Sequence, residues 1–235
     1  MPSEFDQYVD RYKEIINARS AIVGESFEYF IRLRLGLLAR ELADASEPPP
    51  RRILDFGCGI GETERTMREL FPHATVDGID SSPESIKAAL HLGLRDVSFQ
   101  VSEQADLPFE TGSFDLIYSN GTFHHIEHSA HDVVVRELVR VLRPRGHLFV
   151  FENNPLNPLT LLGMYRNPFD RGARVLFPWY LRRLQRDAGL RINALRYYVF
   201  FPKQLKALRW SEPWLRTVPL GAQYYVWGTK ASSTC

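Results

Sequence analysis

Apolar positions in the first fifth of the chain recur at helical spacing. Phe27, Phe30 and Ile31 are followed by Leu35, Leu38 and Leu42, so residues 5–44 are predicted to form one or two helices. Pro48-Pro49-Pro50 ends them, because proline has no N–H to donate and restricts the residue before it. The period then changes. Ile53-Leu54-Asp55-Phe56 is a short apolar run leading straight into glycines, as expected of a strand buried on both faces. Glu62–Leu70 reads as a helix stopped at Phe71-Pro72, and Thr75–Ile79 as the next strand. Ser82 and Pro83 supply an N-cap and a first-turn proline for a helix reaching about Leu92. Val97–Val101 and Phe114–Tyr118 are the third and fourth strands. Ser129 is expected to cap a helix through Leu142 that ends at a Pro144-Arg145-Gly146 turn, and His147–Glu152 follows as the fifth strand.

Strands alternating with helices at this spacing imply right-handed βαβ units, hence an α/β fold with a parallel sheet and helices on both faces. The rhythm breaks after Glu152. Residues 155–189 read as an insertion with two short helices, and Arg191–Phe201 and Gln223–Thr229 as the closing strands. The expected division is a helical segment over residues 1–47 and one domain over residues 48–235, with the 155–189 insertion on its acceptor side. No internal repeat or low-complexity tract interrupts this plan.

The strongest chemical signal is Asp55-Phe56-Gly57-Cys58-Gly59-Ile60-Gly61-Glu62, between a strand and a helix. Glycines let the backbone turn tightly and approach a ligand without Cβ interference. The helix beyond aims free N–H groups at that ligand. Asp80, at the end of the next strand, can accept both hydroxyls of a ribose. A dinucleotide site wants G-x-G-x-x-G or A, but Glu62 stands at the third glycine position, where a pyrophosphate would meet a carboxylate. The acid leading in and the Asp-x-Gly-x-Gly-x-Gly spacing suit instead a ligand with an ammonium group and no phosphates, such as S-adenosylmethionine. A nicotinamide oxidoreductase is disfavoured by the same two acids.

Five segments resemble, in order and spacing, the motifs of class I S-adenosylmethionine-dependent methyltransferases: the loop at 54–62, Gly78-Ile79-Asp80-Ser81-Ser82, Gln104-Ala105-Asp106-Leu107-Pro108-Phe109, Phe114-Asp115-Leu116-Ile117, and Arg140–Gly146. They are similar to the small-molecule branch typified by ubiquinone- and menaquinone-pathway methyltransferases. The resemblance covers roughly residues 50–152. It implies a Rossmann-like, seven-stranded, mostly parallel sheet with an antiparallel last strand, an N-terminal helical lid and an insertion after the fifth strand. It further implies that Gly57, Gly59 and Gly61 lie under the methionyl part of the cofactor. Asp55 would neighbour its ammonium, and Asp80, with Ser81 beside it, would hold the ribose. Asp106 would meet the adenine amino group, with Ala105 and Leu107 against the ring, and Asn120 would border the methionyl moiety. The product would be S-adenosylhomocysteine.

Methyl transfer to a hydroxyl needs two reactants held in line and a proton removed. The loop Asn120–His128 follows the fourth strand on the carboxyl side of the sheet, where ligands bind in such folds. In the resembled branch a histidine of this loop acts as base, so His124 is the first candidate and His125 the second. Glu152, ending the fifth strand beside the loop, is placed to orient the imidazole. The plainer reading is that the histidine pair packs the turn beneath the cofactor. A metal site from His124, His125, Glu127 and His128 is disfavoured, because loop neighbours cannot all face one ion.

Composition and charge narrow the class. The chain has 235 residues, 44% hydrophobic and 24% charged, with a net charge of +1, values of an ordinary globular protein. Its two cysteines, Cys58 and Cys235, suggest no disulfide framework, and Cys58 reads as a small buried filler. No run approaches the roughly 18 apolar residues that span a bilayer, and the acidic start lacks a signal-peptide layout, so a cytoplasmic location is expected. The neutral total hides an asymmetry: residues 155–209 carry eleven cations and only Asp170 and Asp187 as anions. A solvated face is the default for that segment. Receipt of an acidic or lipid-linked acceptor comes next, and peripheral contact with an anionic membrane last. Nucleic acid is not expected, since the aromatics there cluster with leucines.

Tyr8, Tyr12, Phe27 and Phe30 either close over the cofactor or make core contacts, and Asn153, Asn154 and Asn157 are expected to offer donors and acceptors at the mouth of the site. The leading expectation is O-methylation of a hydroxyl in a sugar, glycolipid or natural-product pathway. N- or C-methylation follows closely, and a non-catalytic binder of the cofactor is the third alternative.

Overall fold

The computed structural model describes residues 24–102, 106–166 and 173–232. Helix α1 (Phe27–Asp44) is capped by the Ser26 hydroxyl, which accepts the Tyr29 N–H. Strand β1 (Arg52–Phe56) leads to α2 (Glu62–Leu70), β2 (Thr75–Asp80), α3 (Pro83–Leu90), β3 (Val97–Val101) and β4 (Phe114–Asn120). Then come α4 (His131–Val141), β5 (Leu142–Asn153), α5 (Pro158–Arg166), α6 (Pro178–Asp187), β6 (Leu190–Tyr198), α7 (Glu212–Leu215) and β7 (Gln223–Lys230). The seven strands lie in the order β3-β2-β1-β4-β5-β7-β6. The first five are mutually parallel, while β7 runs antiparallel to both its neighbours.

Period-two alternation divides the core between the two faces of the sheet. Leu54, Ile117 and Val150 point to one face and pack with Val134, Leu138 and Leu181 of α4 and α6. Ile53, Leu116 and Phe149 point to the other and pack with Ile31, Leu35 and Leu38 of α1 and Met67 of α2. The described helix α1 is therefore a wall of the core as well as a neighbour of the glycine loop. The reversal of strand order between β1 and β4 opens the crevice at the carboxyl edge where ligands of such sheets bind.

Several boundaries differ from the sequence reading, each for a local reason. Ser129 does not cap α4. It lies in a single 3-10 turn, His128–Ala130, and Ala130 takes the cap position without a side-chain bond. Pro144-Arg145-Gly146 does not precede β5 but bulges within it: the register passes from Phe114↔Leu142 to Leu116↔His147, with Arg145 at φ 63°. The strand starts early because Leu142 is fully buried opposite Phe114. The closing strand β6 stops at Tyr198 rather than Phe201. Val199 turns to φ 60°, and the N–H groups of Phe200 and Phe201 both donate to Glu212 Oε1. Helix α3 ends at Leu90, two residues short of the expected end. Of the predicted 5–44 helical stretch, residues 5–23 lie outside the described residues.

Candidate active site

The loop between β1 and α2 needs its glycines for distinct reasons. Gly57 has φ 83°, and a Cβ there would collide with the side chain of Thr122, whose Oγ1 donates to the Phe56 carbonyl at 3.2 Å. Gly61, at φ 82°, caps α2, and a Cβ on it would press Ala89 and Phe99 at 2.9 Å. The loop's amides are largely committed within the protein. Gly57 and Cys58 donate to Ile79 O at 2.9 and 3.0 Å, Gly59 donates to Asp80 Oδ2 at 2.9 Å, and Gly61 donates to Cys58 O at 3.2 Å. Few donors remain to cradle a diphosphate. Asp80 Oδ1 accepts the Ser82 N–H at 2.9 Å, which fixes the carboxylate at the end of β2. Ser81, between them, is exposed. Cys58 is buried, and burial pushes its thiol well up from the usual value, as fits an inert filler.

A cavity beside this loop is lined by Phe27, Arg34, Asp55, Gly57, Tyr118 and Asn120, among others. Asp55 is buried there, and burial pushes its carboxyl up to about 8, with the charge of Asp80 adding to the effect. The neighbouring Glu64 carboxyl and the charge of Arg34 act in the opposite direction. Glu64, in the first turn of α2, is fully buried, and burial and the neighbouring Asp55 raise it well above the carboxylate range. Two buried carboxyls side by side resist ionising together, so ionisation of one raises the proton affinity of the other. Arg34 faces them from α1, its guanidinium against the hydroxyls of Tyr118 and Tyr198. The cavity thus offers negative charge for an ammonium on one wall and a buried cation for a carboxylate on the other. That donor set fits an amino acid, and hence the methionyl end of S-adenosylmethionine.

Arg34 and Glu64 were not among the residues singled out from sequence. Arg34 does carry a signal, a cation three residues after Ile31 inside the apolar stripe of α1. Glu64 carries none, since an acid in the first turn of a helix is ordinary.

The loop after β4 is held from beneath. Glu152 Oε1 accepts the Phe123 N–H at 3.0 Å, and Oε2 lies 2.6 Å from His124 Nδ1, with both side chains almost fully buried. A protonated Nδ1 donating to that carboxylate leaves Nε2 as the acceptor. The His125 ring lies 4.1 Å from that of His124 at 47°. His131, which the sequence reading passed over, is fully buried on α4. Its Nε2 lies 3.0 Å from Phe123 O and its Nδ1 3.0 Å from Tyr180 Oη, and burial lowers its pKa. Glu127 forms an ion pair with Arg174, and His128 stacks on Tyr180 at 5.2 Å. Among the described residues no group of three or more His, Cys, Asp or Glu is placed to hold a metal ion.

The loop after β3 is clamped by Arg140, which donates to Leu107 O at 3.0 Å and Phe109 O at 2.8 Å while paired with Glu137 at 2.8 Å. Asp106 is exposed at its tip, and the Leu107 side chain is packed in the core cluster. Ala105 lies outside the described residues, as do Tyr8 and Tyr12. Two of the three asparagines expected at the mouth are instead structural. Asn154 donates to Pro219 O and Gly221 O at 3.2 and 2.7 Å, and Asn157 donates to Leu220 O at 2.8 Å while accepting from Leu159 N and Thr160 N.

Residues 53–146 match the family model described as a methyltransferase domain. Over this stretch the chain is similar to class I S-adenosylmethionine-dependent methyltransferases. The chain is 38% identical over 109 residues to 2-methyl-6-phytyl-1,4-hydroquinone methyltransferase of Synechocystis sp., a match covering 46% of this chain and 33% of the relative. It is 35% identical over 141 residues to the chloroplastic tocopherol O-methyltransferase of Arabidopsis thaliana, covering 58% of this chain and 36% of the relative. The chain therefore spans about a third of the length of these relatives. In structure it is similar to a methyltransferase solved in complex with a Haloferax volcanii methyltransferase activator. There the TM-score is 0.66 at 20% identity, covering 98% of this chain and 99% of that one, a likeness of fold.

Proposed function

We propose that this chain transfers a methyl group from S-adenosylmethionine to a hydroxyl of a small molecule, such as a sugar, a glycolipid or a natural-product intermediate. The observation that carries the reading is the buried His124–Glu152 pair, 2.6 Å apart at the same edge of the sheet as the glycine loop. When bound, the cofactor supplies an electrophilic methyl group on a sulfonium. The chain's own residues supply the rest. Gly57, Gly59 and Gly61 leave room for the methionyl part, Asp55 and Arg34 face its charged ends, and Asp80 takes the ribose hydroxyls. Ser81, Asp106 and Leu107 form the adenine side, and Asn120 borders the methionyl moiety. His124 Nε2 receives the acceptor's proton, Glu152 fixes the ring in the tautomer that can do so, and His125 flanks it. Of the segment expected to act as a lid, the described Phe27 and Arg34 stand on the cavity wall.

The relatives' names support a small hydroxylated acceptor, one being a hydroquinone and the other an O-methylated tocopherol. Titration calorimetry with S-adenosylhomocysteine and with NADH tests the cofactor: heat with the first and none with the second is expected, and the reverse overturns the proposal. Turnover of a panel of hydroxylated acceptors by His124→Ala tests the base. Unchanged turnover across pH would remove His124 from that role.

A further inference from the structure

Strands β5 and β6 run the same way, each being antiparallel to β7. The segments that leave them, 154–166 and 199–222, therefore emerge at the carboxyl edge, on the side of the glycine loop. Both turn large apolar side chains to solvent. On α5, Leu159 is 78% and Tyr165 90% exposed, and in the second segment Trp210 is 68% and Trp214 70% exposed, their rings packed edge to face at 5.2 Å. Asn157 to Leu220 O, at 2.8 Å, and Thr160 Oγ1 to Ala222 O, at 2.9 Å, stitch the two segments into one surface.

The exposed charges of the second segment are cationic. From Lys203 to Arg216 there are four cations and a single acid, Glu212, whose Oε1 is turned inward to the Phe200 and Phe201 amides. Arg209 is paired with Glu25 at 2.8 Å. Lys203, Lys206 and Arg216 are exposed, with no carboxylate in ion-pair range among the described residues. A symmetric contact with a second copy would bring these cations together, which disfavours self-association through the face. Tryptophan and tyrosine beside leucine, ringed by lysine and arginine, are what the boundary between headgroups and acyl chains selects. No described helix is long and apolar enough to cross a membrane, so the contact is with the surface.

We infer that this rim docks on an anionic bilayer surface, with Trp210, Trp214, Leu159 and Tyr165 at the acyl boundary and Lys203, Lys206 and Arg216 over the headgroups. The mouth of the cavity then opens toward the bilayer. Provided the methyl-transfer reading holds, the acceptor arrives from the lipid phase carrying an apolar tail.

Co-sedimentation of the full chain with vesicles tests the docking without any cofactor, so its failure leaves the methyl-transfer reading standing. The chain is expected to pellet with phosphatidylcholine–phosphatidylglycerol vesicles and stay in solution with phosphatidylcholine alone. Lys203→Gln and Lys206→Gln should each weaken partition about fivefold. Trp210→Ala with Trp214→Ala should weaken it about tenfold or more, by loss of buried aromatic area, with circular dichroism confirming an unchanged fold. The inference is overturned by no binding to mixed vesicles, by equal binding to neutral ones, or by variants that bind like the parent. A dimer in sedimentation velocity that the tryptophan variants dissociate would also overturn it, since a second copy would then cover the face.

Discussion

Glu152 grips two successive residues of the loop after β4, taking the Phe123 amide with one carboxylate oxygen and meeting His124 Nδ1 with the other. One side chain thereby fixes both the backbone of the loop and the tautomer of its histidine. Glu152→Gln keeps the amide bond but weakens the hold on the imidazole. General-base contributions run at about 10²–10⁴-fold, so kcat should fall about a hundredfold while the calorimetric affinity for S-adenosylhomocysteine stays within about twofold. An equal loss in both would assign Glu152 to folding alone.

Gly57 should be irreplaceable on two separable grounds. Gly57→Ala places a β-carbon at φ 83°, at a cost of about 1–2 kcal/mol for a left-handed L-residue, and drives it into Thr122. Adding Thr122→Gly removes the collision and leaves the backbone term. The double variant should recover part, not all, of the stability lost by the single one, as read from denaturant midpoints in a double-mutant cycle.

The carboxyl pair makes the unliganded fold sensitive to alkali. Asp55, at about 8 in the folded state against an ordinary value of 3.8, binds a proton in the native chain that the unfolded chain has released. Between about pH 4 and pH 8 the native state thus holds more protons, and stability falls as pH rises through that window. Glu64→Gln removes one acid of the pair. The variant should gain on the parent in melting temperature as pH goes from 6 to 8. A constant difference would show that the two groups do not share their titration.

Arg34 opposes the rise of Asp55 by its charge. Arg34→Met keeps much of the aliphatic stem in the stripe of α1 but deletes that charge. Cofactor affinity should drop about tenfold or more, as for loss of a charge-assisted hydrogen bond. The pH limb of binding should also move upward, because Asp55 becomes harder to ionise. Leu38→Ala, on the same helix but away from the cavity, should cost about 2–5 kcal/mol of stability without moving that limb.

Much of this was legible from residues alone. Strands β1 to β4 follow from apolar runs set between glycines, prolines and capping serines, and α2 and β3 lie where their patterns put them. Local chemistry, however, cannot report what arrives from far along the chain. Ser129 looks like a cap by composition, yet the polypeptide winds one more turn before α4. The bulge at 144–146 reflects Leu142 being claimed by Phe114, a contact between separate elements. In the site, the loop glycines and Asp80 stood out because backbone geometry demands those residue types. Arg34, Glu64 and His131 did not, because their roles come from burial, and burial of a charge is invisible until the helices that bury it are placed. The asparagines at 154 and 157 were misjudged for the converse reason: their amides are spent on carbonyls more than sixty residues away.

The position of β7 between β5 and β6 has a consequence for how the molecule is made. Among the described residues strand β6 bonds only to β7, so it joins the sheet once Gln223–Lys230 are available to bridge it. The bridge spans great contour length, His147 meeting Thr229 across 82 residues. Such late, distant pairing is intrinsically slow. A ribosome that stalls near residue 220 would therefore present a nascent chain with its five parallel strands in hand and an unfinished margin, the state in which a chaperone would find most to hold.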